Sequence, residues 1–581
     1  RYYRAVLREV KTRYPDLDTR YVMVFNEPDY EYPRSWEKRS QAESVKFFYT
    51  LYNMLQADIH KEFPAVTLLG PSISRFMGWV DWQAWTLPFL QQAPQATLFN
   101  CQPYTATFTD LLAWTSMLQA TSLKLNGHRI PLVATEHNVD LNKPASDWWK
   151  DVYHAKRVHD EADILFGMLE HPDQFAIKTY FYYHYTNTWS DMWFAHDGVV
   201  ESAPTYWLYW TMRDVRGTRL YSALDREADR GVVRSIAARD GHELTLALYN
   251  GGDTVKTVRL NVLWPKGFCA SAAIIDSLSY DPAKQQFSHN TAMAIPAPAS
   301  ISLAPGEVKK LRWAMPTRLD ATPALQEQEY FAGDTAVTVS GTEKTLTIPA
   351  RAAKGTETVF VRAAVYVDDV LATERIDWTV NGHECSQPFV PVKGAQPIAY
   401  IESALPAAWV QAANTVVFAP VPDAPYRVMF ASLVYRPQPV TAPPFVLAPN
   451  SGADAPVRLT LAMPATVVPG PVTLTVNAVN SGAQAMRGPL RVTLPEGWSV
   501  ANTLPTLTVP AKGAGKAALA LNVPAGQMRG DQFLTVTFTP EGGAPISARR
   551  GASYQPPLVA AYAQKPLVID GKLDDWAGTP I

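Results

Sequence analysis

Apolar positions follow two rhythms through the first 215 residues. Tyr21-Val22-Met23-Val24-Phe25 is β-branched and aromatic without polar alternation, which predicts a strand buried on both faces of a parallel sheet. It runs straight into Asn26-Glu27-Pro28. Residues 130–135 (Ile-Pro-Leu-Val-Ala-Thr) repeat the pattern and run into Glu136. Shorter runs predict strands at 66–69, 97–104 and 176–183. Between them the spacing becomes helical: Val45, Phe48, Leu51, Leu55 and Ile59 predict a helix over 43–63, and others are expected at 82–90 and 147–170. Tyr3, Val6, Leu7 and Val10 give an amphipathic helix at the start. Strands alternating with helices predict a parallel α/β sheet.

Past Arg216-Gly217 the rhythm shortens to alternating segments parted by turns such as Asp240-Gly241 and Gly251-Gly252, which predicts antiparallel β-structure. Residues 216–316 read as a β-sandwich packed on the α/β part and 317–436 as a second all-β unit. Residues 437–455 are a semi-rigid linker with five prolines. A further sandwich is expected over 456–549, with a linker and the start of another domain over 550–581.

Composition sets bounds on function. At 581 residues and 47% apolar, the chain can build several cores. A net charge of −2 gives no electrostatic case for nucleic acid or an anionic membrane, and no run of about 20 apolar residues predicts insertion into one. Cys101, Cys269 and Cys385 lie far apart and suggest neither disulfides nor a metal motif; Cys101 reads as a core thiol. No cofactor is implied. Aromatic residues are plentiful, with 17 Trp and 26 Tyr, and sugar rings stack on such planes. Trp189 and Trp193 are the best candidates for this; most of the others are expected in cores. His137 and His184 fall beside the candidate chemistry. His154, His159 and His171 read as solvated.

That chemistry is the pair Glu27 and Glu136. Two carboxylates at the carboxyl ends of parallel strands sit where (β/α) barrels build active sites, and a carboxylate pair is the machinery of glycoside hydrolysis. Phe25-Asn26-Glu27-Pro28 with Ala134-Thr135-Glu136 resembles the clan A glycoside hydrolases. In that clan Asn-Glu-Pro closes barrel strand 4 and a Glu closes strand 7. The interval of 109 residues leaves room for the three β/α units between them. The resemblance implies that Glu27 is the acid/base, with a raised pKa, and Glu136 the nucleophile. It also implies that Asn26 bonds the sugar 2-hydroxyl and that Tyr104 orients Glu136. Tyr183, His184 and Trp189 would line the cleft. Gln102 stands near where a His is commonest in the clan, a departure from its pattern.

The expected fold is therefore multidomain: a partial (β/α)8 TIM barrel holding strands 4–8, followed by β-sandwich domains. With strand 4 at 21–25, strands 1 to 3 are not in the chain, so the sequence reads as part of a longer protein with one open barrel edge. Gly70-Pro71-Ser72 is similar to β-xylosidase and β-agarase/porphyranase families, and Arg213-Asp214-Val215-Arg216-Gly217 favours the latter. Asn381-Gly382 and residues 413–418 resemble jelly-roll modules, which bind sugar or act as spacers. Val479-Asn480-Ser481-Gly482 and Leu494-Pro495-Glu496-Gly497-Trp498 resemble an immunoglobulin-like accessory domain. Residues 568–576 resemble the opening of family nine carbohydrate-binding modules. The implied partner is a β-linked polysaccharide met outside the cytoplasm, at the cell surface or in the periplasm. An inactive carbohydrate-binding scaffold and a transglycosylase using the same two Glu remain open.

Overall fold

The computed structural model describes residues 2–554, except 31–39, 140–154, 181–192, 225–230, 265–269, 315–326, 368–375, 386–397, 438–456, 526–529 and some shorter stretches. Residues 1–262, 276–291 and 299–443 pack as one unit; 263–275, 292–298 and 444–581 make up a second.

Six parallel segments lead the first unit: β1 (Tyr21–Met23), β2 (Thr67–Leu69), β3 (Pro71–Ile73), β4 (Phe99–Cys101), β5 (Leu132–His137) and β6 (Phe175–Tyr180). β1 pairs with β2, and β3, β4, β5 and β6 pair in that order. β2 and β3 are one strand broken at Gly70, so five strands alternate with helices. A Cβ at Gly70 would lie 2.4 Å from the Tyr52 ring, so only glycine lets the strand pass there. Among the described residues β1 and β6 do not pair with each other. β1 departs from expectation. It was predicted buried on both faces, yet Tyr21 and Met23 are 41% and 40% exposed, because β2 is its one sheet partner among the described residues.

The helix Gln41–His60 starts on a capping box between Ser40 and Glu43. The expected helix at 82–90 is a composite over Trp79–Asp81, Trp82–Thr86 and Leu87–Gln92, wider in its middle turn. Trp82 and Trp85 are core. A 19-residue helix, Phe108–Asn126, was not expected at all. Every residue from Asp110 to Ser122 is buried, so the segment has no solvent-exposed face to betray its period. One side meets the sheet, and another meets strands Ile398–Leu405 and Tyr426–Pro437 of a later domain. The opening helix, Tyr2–Arg13, buries only Leu7 and is held to its neighbour by Arg4–Asp58 and Arg8–Glu62 ion pairs.

Beyond helix Pro204–Met212 lies a six-stranded sheet, antiparallel from Val308–Ala314 to Thr218–Leu220. Its order is Gln286–Pro296, Ala272–Asp281, Val308–Ala314, Glu243–Asn250, Val233–Asp240 and Thr218–Leu220. Four buried charges join it to the α/β part. Lys310 Nζ lies 3.0 Å from Asp214 and 3.2 Å from Asp276, and Arg312 reaches the same two carboxylates at 3.3 and 3.5 Å. His159 and His171 are half-buried and packed rather than freely solvated. His159 is tucked against Gly306, and His171 stacks on Phe108. His154 lies outside the described residues.

Residues 327–437 form two facing sheets around Val361, Val365, Trp378, Val416 and Leu433. Asn381 and Gly382 both take positive φ, as a two-residue hairpin requires. This domain is tied to the α/β part by Arg129, which donates to the Glu329 carbonyl, and by Thr121–Thr335 at 3.0 Å. In the second unit, sheets of four and five strands enclose Leu474, Val476, Leu519, Val536 and Trp498. The linker at 438–455 and the segment resembling a carbohydrate-binding module fall outside the described residues. No helix among the described residues is long and apolar enough to cross a membrane.

One pH response follows. His289 stacks on Trp207 at 4.3 Å, and burial pushes its pKa down from 6.5 to about 4, with Arg213 and Lys310 adding to the shift and Asp276 opposing it. Between these values the unfolded chain holds a proton that the folded chain does not, so stability falls as pH drops through that window. The melting temperature should decline from pH 6.5 towards about 4, and His289→Gln should flatten that part of the profile in a thermal-unfolding series.

Candidate active site

The site is built where β4 and β5 stop pairing. The backbone ladder between them ends at Cys101 and Ala134. Beyond it side chains take over. Gln102 Nε2 donates to Glu136 Oε1 at 3.0 Å and to Asn26 Oδ1 at 2.6 Å, and Tyr104 Oη donates to Glu136 Oε2 at 2.8 Å. Gln102 faces two acceptors, which settles which end of its amide points at them. Asn26 is held by its oxygen, so its Nδ2 donors turn elsewhere.

A second polar row lies one step back along the strands. Asn100 Nδ2 donates to Ser72 Oγ at 2.7 Å, and Thr135 Oγ1 donates to Asn100 Oδ1 at 2.8 Å. Asn100 on β4 and Gln102 just past its end are both fully buried and two residues apart, so they turn to the same side of the sheet.

Glu136 owes its direction to an irregularity. Between Ala134 and His137, β5 spends three steps where β6 spends two. Such a bulge re-aims the side chains it carries. Thr135 and Glu136 are half-buried, and His137 is buried. His137 stands beside the candidate site but turns inward: Nδ1 meets the Pro103 carbonyl at 2.9 Å and Nε2 meets Glu161 Oε2 at 3.0 Å.

Glu27 sits on the turn after β1. Its N–H donates to the Ser72 carbonyl at 2.9 Å, and its φ is +41°, opposite Ser72 at +63°. Left-handed backbone at a non-glycine residue costs about 1–2 kcal/mol. Asp29 holds the turn, accepting from Ser74 N and Oγ at 2.8 and 2.9 Å. Two facing strand ends are thus locked in an uncommon conformation beside the carboxylate.

The structure joins Asn26, Tyr104 and Glu136 in one network, with Glu27 on the residue beside Asn26. Tyr183, His184 and Trp189 lie outside the described residues, as does the side chain of Trp193. Cys101 is fully buried, and burial pushes its thiol pKa up, in keeping with a core role. Gln102 is the hub that the sequence reading passed over. Its signal was its place two residues before Tyr104, on the same strand end. Among the described residues no cluster of three or more His, Cys, Asp or Glu side chains could hold a metal.

No sequence-family profile and no curated protein sequence matches the chain. Solved structures do. BuGH86 in complex with neoagarooctaose aligns over 72% of this chain and 71% of its own, with a TM-score of 0.58 and 16% identity. A β-porphyranase of glycoside hydrolase family 86 from the human gut bacterium Bacteroides plebeius aligns over 72% and 79%, with a TM-score of 0.55 and 16% identity. The chain has the fold of these family 86 structures. It shares their multidomain build, with a parallel α/β region followed by β-rich domains.

Replacing the hub amide by a carboxylate sets an acceptor against two acceptors. Gln102→Glu should destabilise the protein by about 3 kcal/mol at neutral pH, the scale of an uncompensated buried charge. Its new carboxyl regains a donor when protonated, so the loss should shrink on acidification. Denaturant unfolding of both proteins at pH 7 and at acid pH checks the magnitude and its sign.

Proposed function

We propose that this chain carries both catalytic carboxylates of a clan A retaining glycoside hydrolase that cleaves a β-linked galactan of the agar type. In this reading β1–β6 are strands 4 to 8 of a (β/α)8 barrel, and the site lies at the carboxyl ends of its strands. The observation that carries the proposal is the network joining Asn26, Gln102, Glu136 and Tyr104. It ties the candidate nucleophile to the strand end bearing the candidate acid/base.

Glu27 protonates the departing glycosidic oxygen while Glu136 attacks the anomeric carbon; Glu27 then takes a proton from the water that releases the sugar. Gln102 and Tyr104 each hold one oxygen of Glu136, leaving the carboxylate aimed before substrate arrives. Asn26, its oxygen held by Gln102, offers Nδ2 to a sugar hydroxyl. Retention asks that the two carboxyl groups lie about 5–5.5 Å apart. The substrate class rests on the fold shared with BuGH86, solved with neoagarooctaose, and with the β-porphyranase. This reading places its action outside the cytoplasm, where such a polysaccharide is met.

Glu136→Gln should abolish turnover of agarose and porphyran. Glu27→Gln should lower it by about 10²–10⁴-fold. On an aryl glycoside with a good leaving group, Glu27→Gln should accumulate the covalent intermediate, and azide should restore turnover as the β-glycosyl azide. Steady-state kinetics with and without azide, with intact-protein mass, provide the test. If both variants keep full activity, the assignment falls; if azide rescues Glu136→Gln to an α-azide and does nothing for Glu27→Gln, the acid/base role of Glu27 loses its support. Release of xylose rather than galactose units would overturn the substrate class alone.

A further inference from the structure

We propose that His137 is a positioning residue for Glu136, fixed by a buried chain through Glu161 to Tyr209; this rests on the reading of Glu136 as nucleophile. Three successive residues, Gln102, Pro103 and Tyr104, bond to two successive residues, Glu136 and His137. The outer two of the three grip Glu136 directly. The middle one is gripped by His137. Where the backbone ladder has ended, the imidazole takes the place of a ladder bond and sets the spacing of the two segments.

The proton count fixes the ring. The Pro103 carbonyl only accepts, so His137 Nδ1 carries a hydrogen. Nε2 faces Glu161 Oε2 at 3.0 Å, and one proton is shared between them. The other oxygen, Oε1, accepts from the Tyr209 hydroxyl. His137 and Glu161 are each 1% exposed, so water cannot stand in for a missing partner. Turning the ring over would put carbon against both the carbonyl and the carboxylate, and both would lose their bond to the ring. Glu161 stands on helix Ala155–Glu170 and Tyr209 on helix Pro204–Met212. Those outer helices thus fix the ring, the ring fixes Pro103, and Pro103 places the two donors that aim Glu136. His137 itself touches no substrate.

The test uses the full chain in its active protein, with Glu136→Gln as a reference. His137→Leu should lower kcat on the polysaccharide by about 10²-fold, the cost of a small misplacement, and leave KM within about twofold. Its crystal structure should show the Gln102 and Tyr104 contacts to Glu136 opened. His137→Asn puts an amide nitrogen where Nδ1 stood and should recover kcat to within about tenfold of the parent. Glu161→Gln, whose amide donates to Nε2 and accepts from Tyr209, should stay near the parent, whereas Glu161→Leu should behave like His137→Leu. If His137→Leu does not fold, Glu161→Leu carries the same comparison with the ring still present. The proposal is overturned if a folded Leu variant keeps kcat and holds Glu136 within about 0.5 Å of its parent position, or if His137→Asn is as impaired as Leu. Full activity in Glu136→Gln would instead sink the nucleophile reading, while the crystal contacts would still decide whether His137 holds the segment.

Discussion

Two fully buried amides on one side of one strand end, Asn100 and Gln102, constrain how the strands of the α/β part align at the site. A buried amide left without partners costs about 1–3 kcal/mol, so each must find them across the sheet. Asn100 finds Ser72 on one side and Thr135 on the other. Gln102 finds Asn26 and Glu136. These cross-strand bonds set which residues of neighbouring strands stand level. Strand order comes from apolar burial, but alignment at the site comes from these polar rows. The same bonds that stabilise the sheet leave Glu136 with fixed partners.

Much of this was legible in the residues. Short β-branched runs ending on Glu27 and Glu136 announced parallel strands and a carboxylate pair, and both strands are present. The alternating segments after residue 216 announced antiparallel sheets, and those are present too. What stayed hidden had physical causes. Helix Phe108–Asn126 is covered all round over its middle, so its sequence shows no period. β1 has the composition of an interior strand but one neighbour among the described residues, and composition cannot count neighbours. The bulge in β5 has no residue signature: Ala134, Thr135 and Glu136 would suit a regular strand equally. Gln102 looked like a lapse from a family pattern, because its role depends on partners 76 and 34 positions away.

The charged group at Asp214, Asp276, Lys310 and Arg312 works by a different principle. Ion pairs with little solvent access contribute little net stability, because desolvation offsets attraction, yet they punish every arrangement that separates them. Placed where the α/β part meets its first sheet, they specify one docking geometry. Asp214 belongs to the Arg213–Gly217 run that stood out in the sequence, and its partners arrive about a hundred residues later on Val308–Ala314.

The covering of helix Phe108–Asn126 has a consequence for how this protein can be cut and recombined. The helix is flanked by residues such as Phe331, Met429 and Phe430, which belong to the second β-domain and share its apolar cluster. Removing that domain would strip an apolar wall from the α/β part and invite aggregation at the exposed face. The domain is thus neither a tether nor an optional module. A portable piece that keeps the α/β part covered must therefore include that domain's last strand, Tyr426–Pro437. Domain shuffling, whether by evolution or in the laboratory, would expose that apolar wall if it cut at the earlier change from helices to strands.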